Sequence, residues 1–135
     1  SRPQDCQAVN AAGADFAGFV FAPSRRQVSI EQASLLIDLL SPVILAVGVF
    51  VENSIDEIAA AVSQANLAVV QLHGTADPEK ILALRQKLAK STMIWQRLAI
   101  PLESPVQTEM PRIMADMAQF SARQARPDAW LRIAA

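Results

Sequence analysis

The sequence predicts an α/β fold, a parallel sheet whose strands alternate with crossover helices. Short apolar runs rich in valine and isoleucine indicate strands buried on both faces. The segments between them carry apolar residues at helical spacing, which indicates amphipathic helices. Strands and helices that alternate in this way form parallel sheets with right-handed connections. The four predicted strands are residues 16–21, 44–51, 68–73 and 92–98.

Capping signals mark where the main helices begin. Ser29 is followed three residues later by Gln32, and Ser54 by Glu57, which is the spacing of a capping box. Asp77 stands at an N-cap position directly before a proline, a residue favoured at the first helical position. Each of these three helices therefore follows a predicted strand.

Two further helices complete the pattern. The first, over about residues 3–12, precedes the first strand, and Gly13 is expected to end it in the left-handed conformation that glycine tolerates. The last is expected over residues 111–124, after a long loop at residues 100–106.

Composition limits the classes of function. The 135 residues fit one domain, residues 1–135. The 12 basic and 13 acidic residues are spread along the chain without a basic stripe, so no nucleic-acid partner is expected. No apolar run approaches the roughly 20 residues that cross a bilayer, so no membrane partner is expected. The single cysteine, Cys6, excludes an internal disulfide and fits the reducing cytoplasm.

Two architectures fit this order of elements. One is an open, doubly wound sheet of about five strands, similar to that of flavodoxin. The other is part of an eight-stranded (β/α)₈ barrel. A whole barrel usually needs about 250 residues, so this chain would hold little more than half of one.

Four motifs in a fixed order favour the barrel. Together they resemble the phosphoribosylanthranilate isomerase family of tryptophan biosynthesis, although any one of them alone would be weak. The resemblance extends from Ser1 to about Leu131 and corresponds to the family's second to fifth strands and the beginning of its sixth. It implies an incomplete (β/α)₈ barrel. The motifs are GADFAGFVF (13–21), SRRQVS (24–29), VGVFV (47–51) and VVQLHG (69–74).

The resemblance implies an isomerase of the aldose–ketose type. Members of the family convert N-(5-phosphoribosyl)anthranilate to an aminodeoxyribulose phosphate by an Amadori rearrangement, in which the ribose ring opens. The reaction is general acid–base chemistry and implies no metal and no cofactor. The expected partner is therefore a small phosphosugar–anthranilate substrate.

The family's catalytic groups are not expected in this chain, which is therefore expected to be inactive alone. Its general base is a cysteine in a Lys-Ile-Cys-Gly motif on the first strand, and this chain begins after that point. Cys6 lies in the following helix, where it should pack as a small residue. The family's general acid is an aspartate at the end of the sixth strand, where Arg132 and Ile133 stand here. Asp128 precedes that strand as a turn residue.

Three residues are candidates for substrate binding. Arg26 matches the arginine that holds the anthranilate carboxylate in the family, and a guanidinium binds a carboxylate through two parallel hydrogen bonds. Gln71 and His73 have the same parity on a strand, so both should face the barrel interior near its active-site rim. The alternatives are a plain surface arginine and a histidine satisfied by backbone groups. Gln96 and Arg97 could also face the interior or its rim.

Three interpretations of the whole chain stay open at this point. They are an inactive partial isomerase, an active isomerase completed by partner chains or further residues, and an unrelated flavodoxin-like binding domain. A severed barrel would expose strand edges with unpaired N–H and C=O groups. We therefore expect a homodimer formed through the exposed edges, or aggregation. One histidine and one distant cysteine do not make a metal site.

Overall fold

The structure, a computed structural model, describes residues 2–75, 77–100, 111, 114–115 and 128–134, with the backbone alone for 98–100 and 129–134. The helices in this part of the chain are α1 (Pro3–Ala11), α2 (Ile30–Ile37), α3 (Ile55–Ala65) and α4 (Pro78–Lys87). None of them is long and apolar enough to cross a bilayer. The strands are β1 (Phe16–Val20), β2 (Leu45–Phe50), β3 (Val69–Leu72), β4 (Met93–Ile100) and β5 (Ala129–Ala134).

The order of the strands decides between the two architectures. All neighbouring strands are parallel, and their order in the sheet is β1-β2-β3-β4-β5. Residues of α1 to α4 share one apolar core with one face of this sheet. A doubly wound sheet would reverse its strand order and place helices on both faces. The described chain is therefore part of a singly wound (β/α)₈ barrel, and the flavodoxin-like alternative is wrong.

The sheet is strongly curved, as a barrel wall must be. Phe16 on β1 and Trp95 on β4 belong to strands separated by β2 and β3. Their ring centroids are nevertheless 4.9 Å apart, in an edge-to-face contact with an interplanar angle of 70°. Because three strand spacings would separate the rings by about 14 Å on a flat sheet, the contact shows a concave face.

The predicted helix caps are present. The Ser29 hydroxyl accepts from the backbone N–H of Gln32 at 3.1 Å, and the Gln32 side chain accepts from the backbone N–H of Ser29 at 3.1 Å. Ser54 and Glu57 repeat this exchange at 3.2 and 2.6 Å. The carboxylate of Asp77 accepts a hydrogen bond in the first turn of α4. These caps fix helix starts at the edge where the strands end, which we call the C-terminal edge.

Some element bounds differ from the sequence prediction. α1 ends at Ala11, and Gly13 follows it with a φ of +63°, as expected. β4 continues to Ile100, which the prediction placed in the long loop, because its pairing with β5 runs on to the end of that strand. The rest of the loop, and all but residues 111, 114 and 115 of the helix expected at 111–124, lie outside the described residues.

The two faces of the sheet have different surroundings. The helix face packs against α1 to α4, whose Ile58, Ile81 and Leu84 are fully buried. The inner face is the concave opposite side, where Phe16 is 44% and Leu45 38% exposed. The strand residues of the helix-face core are Ala17, Phe19, Ala46, Phe50, Val70, Leu72 and Ile94.

Cys6 belongs to the helix side of the molecule. It is buried on α1, and its thiol donates to the Leu36 carbonyl at 3.4 Å. Burial raises the pKa of the Cys6 thiol, so it stays protonated at neutral pH. The expectation that it packs as a small core residue is confirmed.

Candidate functional site

The inner face changes from apolar to polar along the strands. Val47 on β2 and Val69 on β3 are register partners, and both are buried. Further along β3, Gln71 takes the next inner-face position, opposite Trp95 on β4. His73 follows two residues later, at the C-terminal edge. Polar side chains therefore gather at the end of the barrel wall where (β/α)₈ enzymes build their sites.

Gln71 and His73 lie next to each other on the inner face, as their parity predicts. The amide nitrogen Nε2 of Gln71 is 3.5 Å from Nδ1 of His73, and it donates to that atom when the ring proton is on Nε2. Both side chains are half-buried. Their neighbours Val70 and Leu72 point to the helix core. The pair thus presents an amide oxygen and an imidazole nitrogen to the concave face.

The surroundings of His73 favour its neutral form. Burial, and then the positive charge of Arg97, lower the pKa of His73 below its ordinary value of 6.5. Its backbone N–H donates to the Phe50 carbonyl at 2.8 Å, which fixes the chain just past β3. A neutral imidazole can both donate and accept hydrogen bonds, so the ring suits a polar, uncharged part of a ligand.

Gln96 lies on the helix side of β4 and holds the backbone on both sides of His73. Its side chain is fully buried. Its Nε2 donates to the carbonyls of Leu72 at 3.3 Å and Gly74 at 3.2 Å, the two residues that flank His73. The same nitrogen is 3.0 Å from the carbonyl of Arg97. Gln96 therefore ties the ends of β3 and β4 together beneath the site.

Arg97 lies on the inner side of β4, two residues after Trp95 toward the C-terminal edge. Its Nη1 donates to the His73 carbonyl at 3.5 Å, a long hydrogen bond. Its Nε is buried and has no hydrogen-bond partner in the part of the chain that the structure describes. Sequence reasoning left Gln96 and Arg97 undecided between interior and rim. Because side chains alternate along a strand, Arg97 lies on the inner face and Gln96 on the helix face. The pairing register of β4 with β3 decides which of the two residues faces inward.

Arg26 lies at the same edge but apart from the other two candidates. It is exposed in the turn between β1 and α2, where its backbone N–H donates to the Ser24 hydroxyl at 3.2 Å. The turn is tied to β1 because Val28 donates to the Val20 carbonyl at 2.9 Å. Within the described residues, the guanidinium makes no hydrogen bond to Gln71 or His73. The structure therefore groups all three at one edge and brings two of them together.

Asp128 lies at the opposite edge of the sheet, as a turn residue should. It directly precedes β5, and its carboxylate accepts from the backbone N–H of Ile94 at 2.6 Å. The same carboxylate pairs with Arg85 at 2.6 Å. These contacts are structural and are remote from His73. Among the described residues, no group of three His, Cys, Asp or Glu side chains could hold a metal ion.

Comparison with known proteins identifies the barrel family. The family model for N-(5'-phosphoribosyl)anthranilate (PRA) isomerase matches residues 1–116. This chain belongs to the phosphoribosylanthranilate isomerase family. The resemblance indicated by the four sequence motifs is thereby confirmed.

Curated members of the family are closely similar over part of their length. The N-(5'-phosphoribosyl)anthranilate isomerase of Lacticaseibacillus casei (strain BL23) is 50% identical over 101 residues, which are 75% of this chain and 51% of that protein. The isomerase of Symbiobacterium thermophilum is 51% identical over 78 residues, 58% of this chain and 35% of that protein. The chain thus spans about half the length of the curated relatives it matches, or less.

Solved structures of phosphoribosylanthranilate isomerases share the fold. The Thermotoga maritima enzyme matches with a TM-score of 0.71 at 27% identity, covering 87% of this chain and 54% of that one. An isomerase in complex with reduced 1-(o-carboxyphenylamino)-1-deoxyribulose 5-phosphate matches with a TM-score of 0.71 at 22% identity, covering 99% of this chain and 82% of that one. These matches confirm the partial barrel.

Proposed function

We propose that this chain forms the substrate-side wall of a phosphoribosylanthranilate isomerase. The reaction is the Amadori rearrangement of N-(5-phosphoribosyl)anthranilate to the aminodeoxyribulose phosphate, a step of tryptophan biosynthesis. The observation that carries the proposal is the Gln71–His73 pair on the concave face, at the C-terminal edge of a barrel sheet. The reaction is proposed because the chain belongs to the family, and substrate contact is proposed because the pair lies where (β/α)₈ enzymes bind their substrates.

Each candidate residue has a part in substrate binding under this proposal. Gln71 and neutral His73 bind polar, uncharged groups of the substrate on the concave wall. Arg26, on the loop after β1, binds the anthranilate carboxylate through its guanidinium fork. The ligand of the solved isomerase complex carries both a carboxyphenyl group and a phosphate, which fits such an arrangement.

The 135-residue chain is proposed to bind without catalysing. An Amadori rearrangement needs a general base and a general acid within reach of the same sugar. The described side chains of the inner face include no carboxylate and no thiol, and the protonated thiol of Cys6 is buried on the helix side. Among the described inner-face residues, the neutral imidazole of His73 is therefore one proton-transfer group, whereas the reaction requires two.

A turnover assay tests the proposed inactivity. The purified chain is expected to give no measurable conversion of phosphoribosylanthranilate, whereas a curated relative such as the Lacticaseibacillus casei isomerase provides the positive control. Any turnover by the chain would contradict the proposal, and turnover that is unchanged in Cys6→Ser would show that the base is a group other than this thiol.

An affinity measurement tests the role of Arg26. Arg26→Ala should weaken the binding of anthranilate about tenfold, since a charge-assisted pair of hydrogen bonds is lost. Arg25→Ala is the matched control, because Arg25 is the neighbouring exposed arginine in the same turn. Calorimetric titrations that give equal affinities for both variants would remove Arg26 from the site.

A homodimer through the free sheet edges is also part of the proposal. In the described sheet β1 and β5 are the outer strands, and each pairs along its length with one neighbouring strand. Unpaired edges favour pairing with another chain. One solved Thermotoga maritima structure is of monomers generated from a dimeric isomerase, so dimers have a precedent among similar proteins. Sedimentation at several concentrations should show self-association, and a monomer at all of them would contradict it.

We place the chain as one domain in the cytoplasm. One sheet and one apolar core unite the described residues, which supports a single domain over residues 1–135. Cys6 is a buried free thiol, which a reducing compartment preserves. Cell fractionation tests the location, and recovery of the chain with membranes or outside the cell would contradict it.

A further inference from the structure

Gln96 is a polar side chain that lies without solvent exposure beside the apolar core of the helix face. Ile94, the preceding residue on the same face of β4, is equally buried. Burying an amide costs free energy unless its donors and its oxygen find hydrogen-bond partners. The Oε1 atom of Gln96 has none in the part of the chain that the structure describes. An apolar residue would avoid that cost, so the groups that the amide nitrogen holds must explain the amide.

The amide nitrogen of Gln96 is surrounded by main-chain carbonyl groups. Nε2 is 3.3 Å from the carbonyl oxygen of Leu72, 3.2 Å from that of Gly74 and 3.0 Å from that of Arg97. Since the nitrogen carries two N–H donors, these three acceptors share both of them. Leu72 and Gly74 flank His73, so one side chain holds the backbone before and after the imidazole.

This hold matters because regular strand pairing ends before His73. The last register pair between β3 and β4 joins Leu72 to Gln96, and β3 itself ends at Leu72. On the β2 side, the His73 N–H still donates to the Phe50 carbonyl at 2.8 Å. On the β4 side, the contacts come from side chains, namely the Gln96 amide and the longer bond from Arg97 to the His73 carbonyl at 3.5 Å. Gln96 therefore continues the hold on the backbone past the last pair of the ladder.

The same hold preserves the alternation of side chains past the end of β3. Gln71 faces inward, and Leu72 belongs to the core of the helix face. His73 can face inward beside Gln71 only while the backbone stays extended. The 3.5 Å separation of Gln71 Nε2 and His73 Nδ1 is the result. A turn that began at His73 would move the imidazole away from the concave wall.

We propose that Gln96 is a positioning residue of the substrate site: its amide nitrogen holds the carbonyls of Leu72 and Gly74 and thereby keeps the His73 imidazole beside Gln71 on the concave face. Gln96 lies on the other side of the sheet and acts on the ligand through His73. A side chain already held in its binding position loses less conformational freedom when the ligand arrives, so the hold strengthens binding. The inference deepens the proposed function and depends on it for the ligand, but the placement of His73 is testable without one.

The imidazole signals of His73 in the ligand-free chain provide the first test. Gln96→Met keeps an unbranched side chain of similar length and removes both donors. It should shift the ring signals in an NMR spectrum, and the pKa read from their pH titration should rise toward the ordinary 6.5, because the ring leaves the partly buried position that lowers it. A purely structural role would lower the urea midpoint of unfolding and leave both readouts of the folded chain unchanged.

Thr92→Val is the matched control. Thr92 is the other buried polar residue among the described residues, at 6% exposure, and it directly precedes β4 at the edge opposite His73. The substitution removes a buried polar group of similar shape far from the site. The His73 signals and pKa of Thr92→Val should therefore equal those of the wild type.

Calorimetric titration with anthranilate provides the second test. Gln96→Met should weaken binding about three- to tenfold, the value of one neutral hydrogen bond, because His73 no longer meets the uncharged amine of the probe. Thr92→Val should bind with wild-type affinity. If Gln96→Met does not fold, Gln96→Asn replaces it in both tests, since the shorter amide draws its nitrogen back from the carbonyls by one methylene. The same directions of change are expected.

The outcomes separate the positioning role from the proposed function. His73 signals at their wild-type positions in the Gln96 variant, or shifted signals with an unchanged affinity for anthranilate, would overturn the positioning role and leave the proposed function standing. Equal shifts in the Gln96 and Thr92 variants would also overturn it. A wild-type chain that does not bind anthranilate would contradict the proposed function, whereas His73 signals that shift in Gln96→Met and not in Thr92→Val would still support the hold on His73.

Discussion

The helix face and the inner face of this sheet are built from alternate residues of the same strands, yet they differ in exposure at the start of the sheet and in polarity at its C-terminal edge. On the helix face, Ile58, Ile81 and Ile94 have no solvent exposure, and α1 to α4 complete the packing. On the inner face, Phe16 and Leu45 remain substantially exposed, and polar side chains gather at the C-terminal edge. Val47 and Val69 are buried on the inner face as well, so that face also contributes to stability, and its polar character is confined to the C-terminal edge.

The two edges of the sheet also differ in their electrostatics. At the edge remote from the site, Asp128 satisfies both Arg85 and the backbone N–H of Ile94. At the site edge, Arg97 keeps a buried Nε without a partner among the described residues, and its charge helps to lower the pKa of His73. Gln96, on the helix side of the same edge, also has a buried atom without a partner among the described residues, Oε1, so unsatisfied polar atoms lie on both faces at the site edge.

Large-to-small substitutions should separate the two faces most strongly. Ile58→Ala removes a fully buried side chain and should reduce the free energy of unfolding by about 2–5 kcal/mol. Leu45→Ala is the inner-face control, and it should cost less because Leu45 is 38% exposed. Urea unfolding of both variants measures the difference. Equal losses would show that the concave face is packed as tightly as the helix face.

Glycine-to-alanine substitutions should also destabilise the helix face more than the inner face, by a smaller difference in the free energy of unfolding. A Cβ added at Gly48 would lie 2.6 Å from Leu67 Cδ1 and 2.7 Å from a ring carbon of buried Phe50, so Gly48→Ala should destabilise by about 1–3 kcal/mol. At Gly18, on the inner face, the added atom would meet nothing within 4 Å. Gly18→Ala should therefore change thermal stability by at most about 0.5 kcal/mol. A larger loss at Gly18 than at Gly48 would contradict the assignment of the faces.

The pH dependence of stability should carry a small contribution from His73. Because burial and Arg97 lower the pKa of His73 in the folded state, the unfolded chain binds the proton more tightly. The contribution is therefore present above the ordinary pKa of 6.5 and is lost as pH falls through the lower folded value. Urea midpoints measured from about pH 7.5 to 5.5 should fall less in His73→Gln than in the wild type. If the urea midpoints of the wild type and His73→Gln change equally with pH, the folded state does not shift the pKa of His73, and this prediction is contradicted.

The lowered carboxylate pKa values do not interfere with that measurement. Hydrogen bonds to the backbone N–H of their helix starts lower the pKa of Asp5 and Glu57 below 3.8 and 4.5. Their contribution to stability is lost only as pH falls below these ordinary values. A change near neutral pH that depends on position 73 therefore belongs to the imidazole.

Features set by neighbouring residues could be predicted from the sequence. The exchange between Ser29 and Gln32 and the cap at Asp77 depend on residues within one turn, so their patterns were sufficient. The side-by-side placement of Gln71 and His73 required only the parity of a strand. The family motifs supplied the barrel, which the periodicity alone could not distinguish from a doubly wound sheet.

Features set by pairing between distant segments could not be predicted. The faces taken by Gln96 and Arg97 follow from the register of β4 against β3. The role of Gln96 beneath His73 depends on carbonyls more than twenty residues away, at Leu72 and Gly74. The sequence shows Gln96 and Arg97 as polar residues in an apolar strand. That pattern indicates a special environment, but it does not indicate on which face of the sheet each side chain lies. Substrate binding by Arg26, Gln71 and His73 stays a prediction.

The ring resonances of His73 provide the most direct test that the polar end of the inner face is a binding wall. His73 is the single histidine of the chain, so its imidazole signals in an NMR spectrum need no assignment among several. Titration with anthranilate should shift them saturably, while the methyl resonances of Ile58 on the helix side stay in place. Histidine signals that remain unchanged up to saturating anthranilate, or that move no more than those of Ile58, would contradict the account.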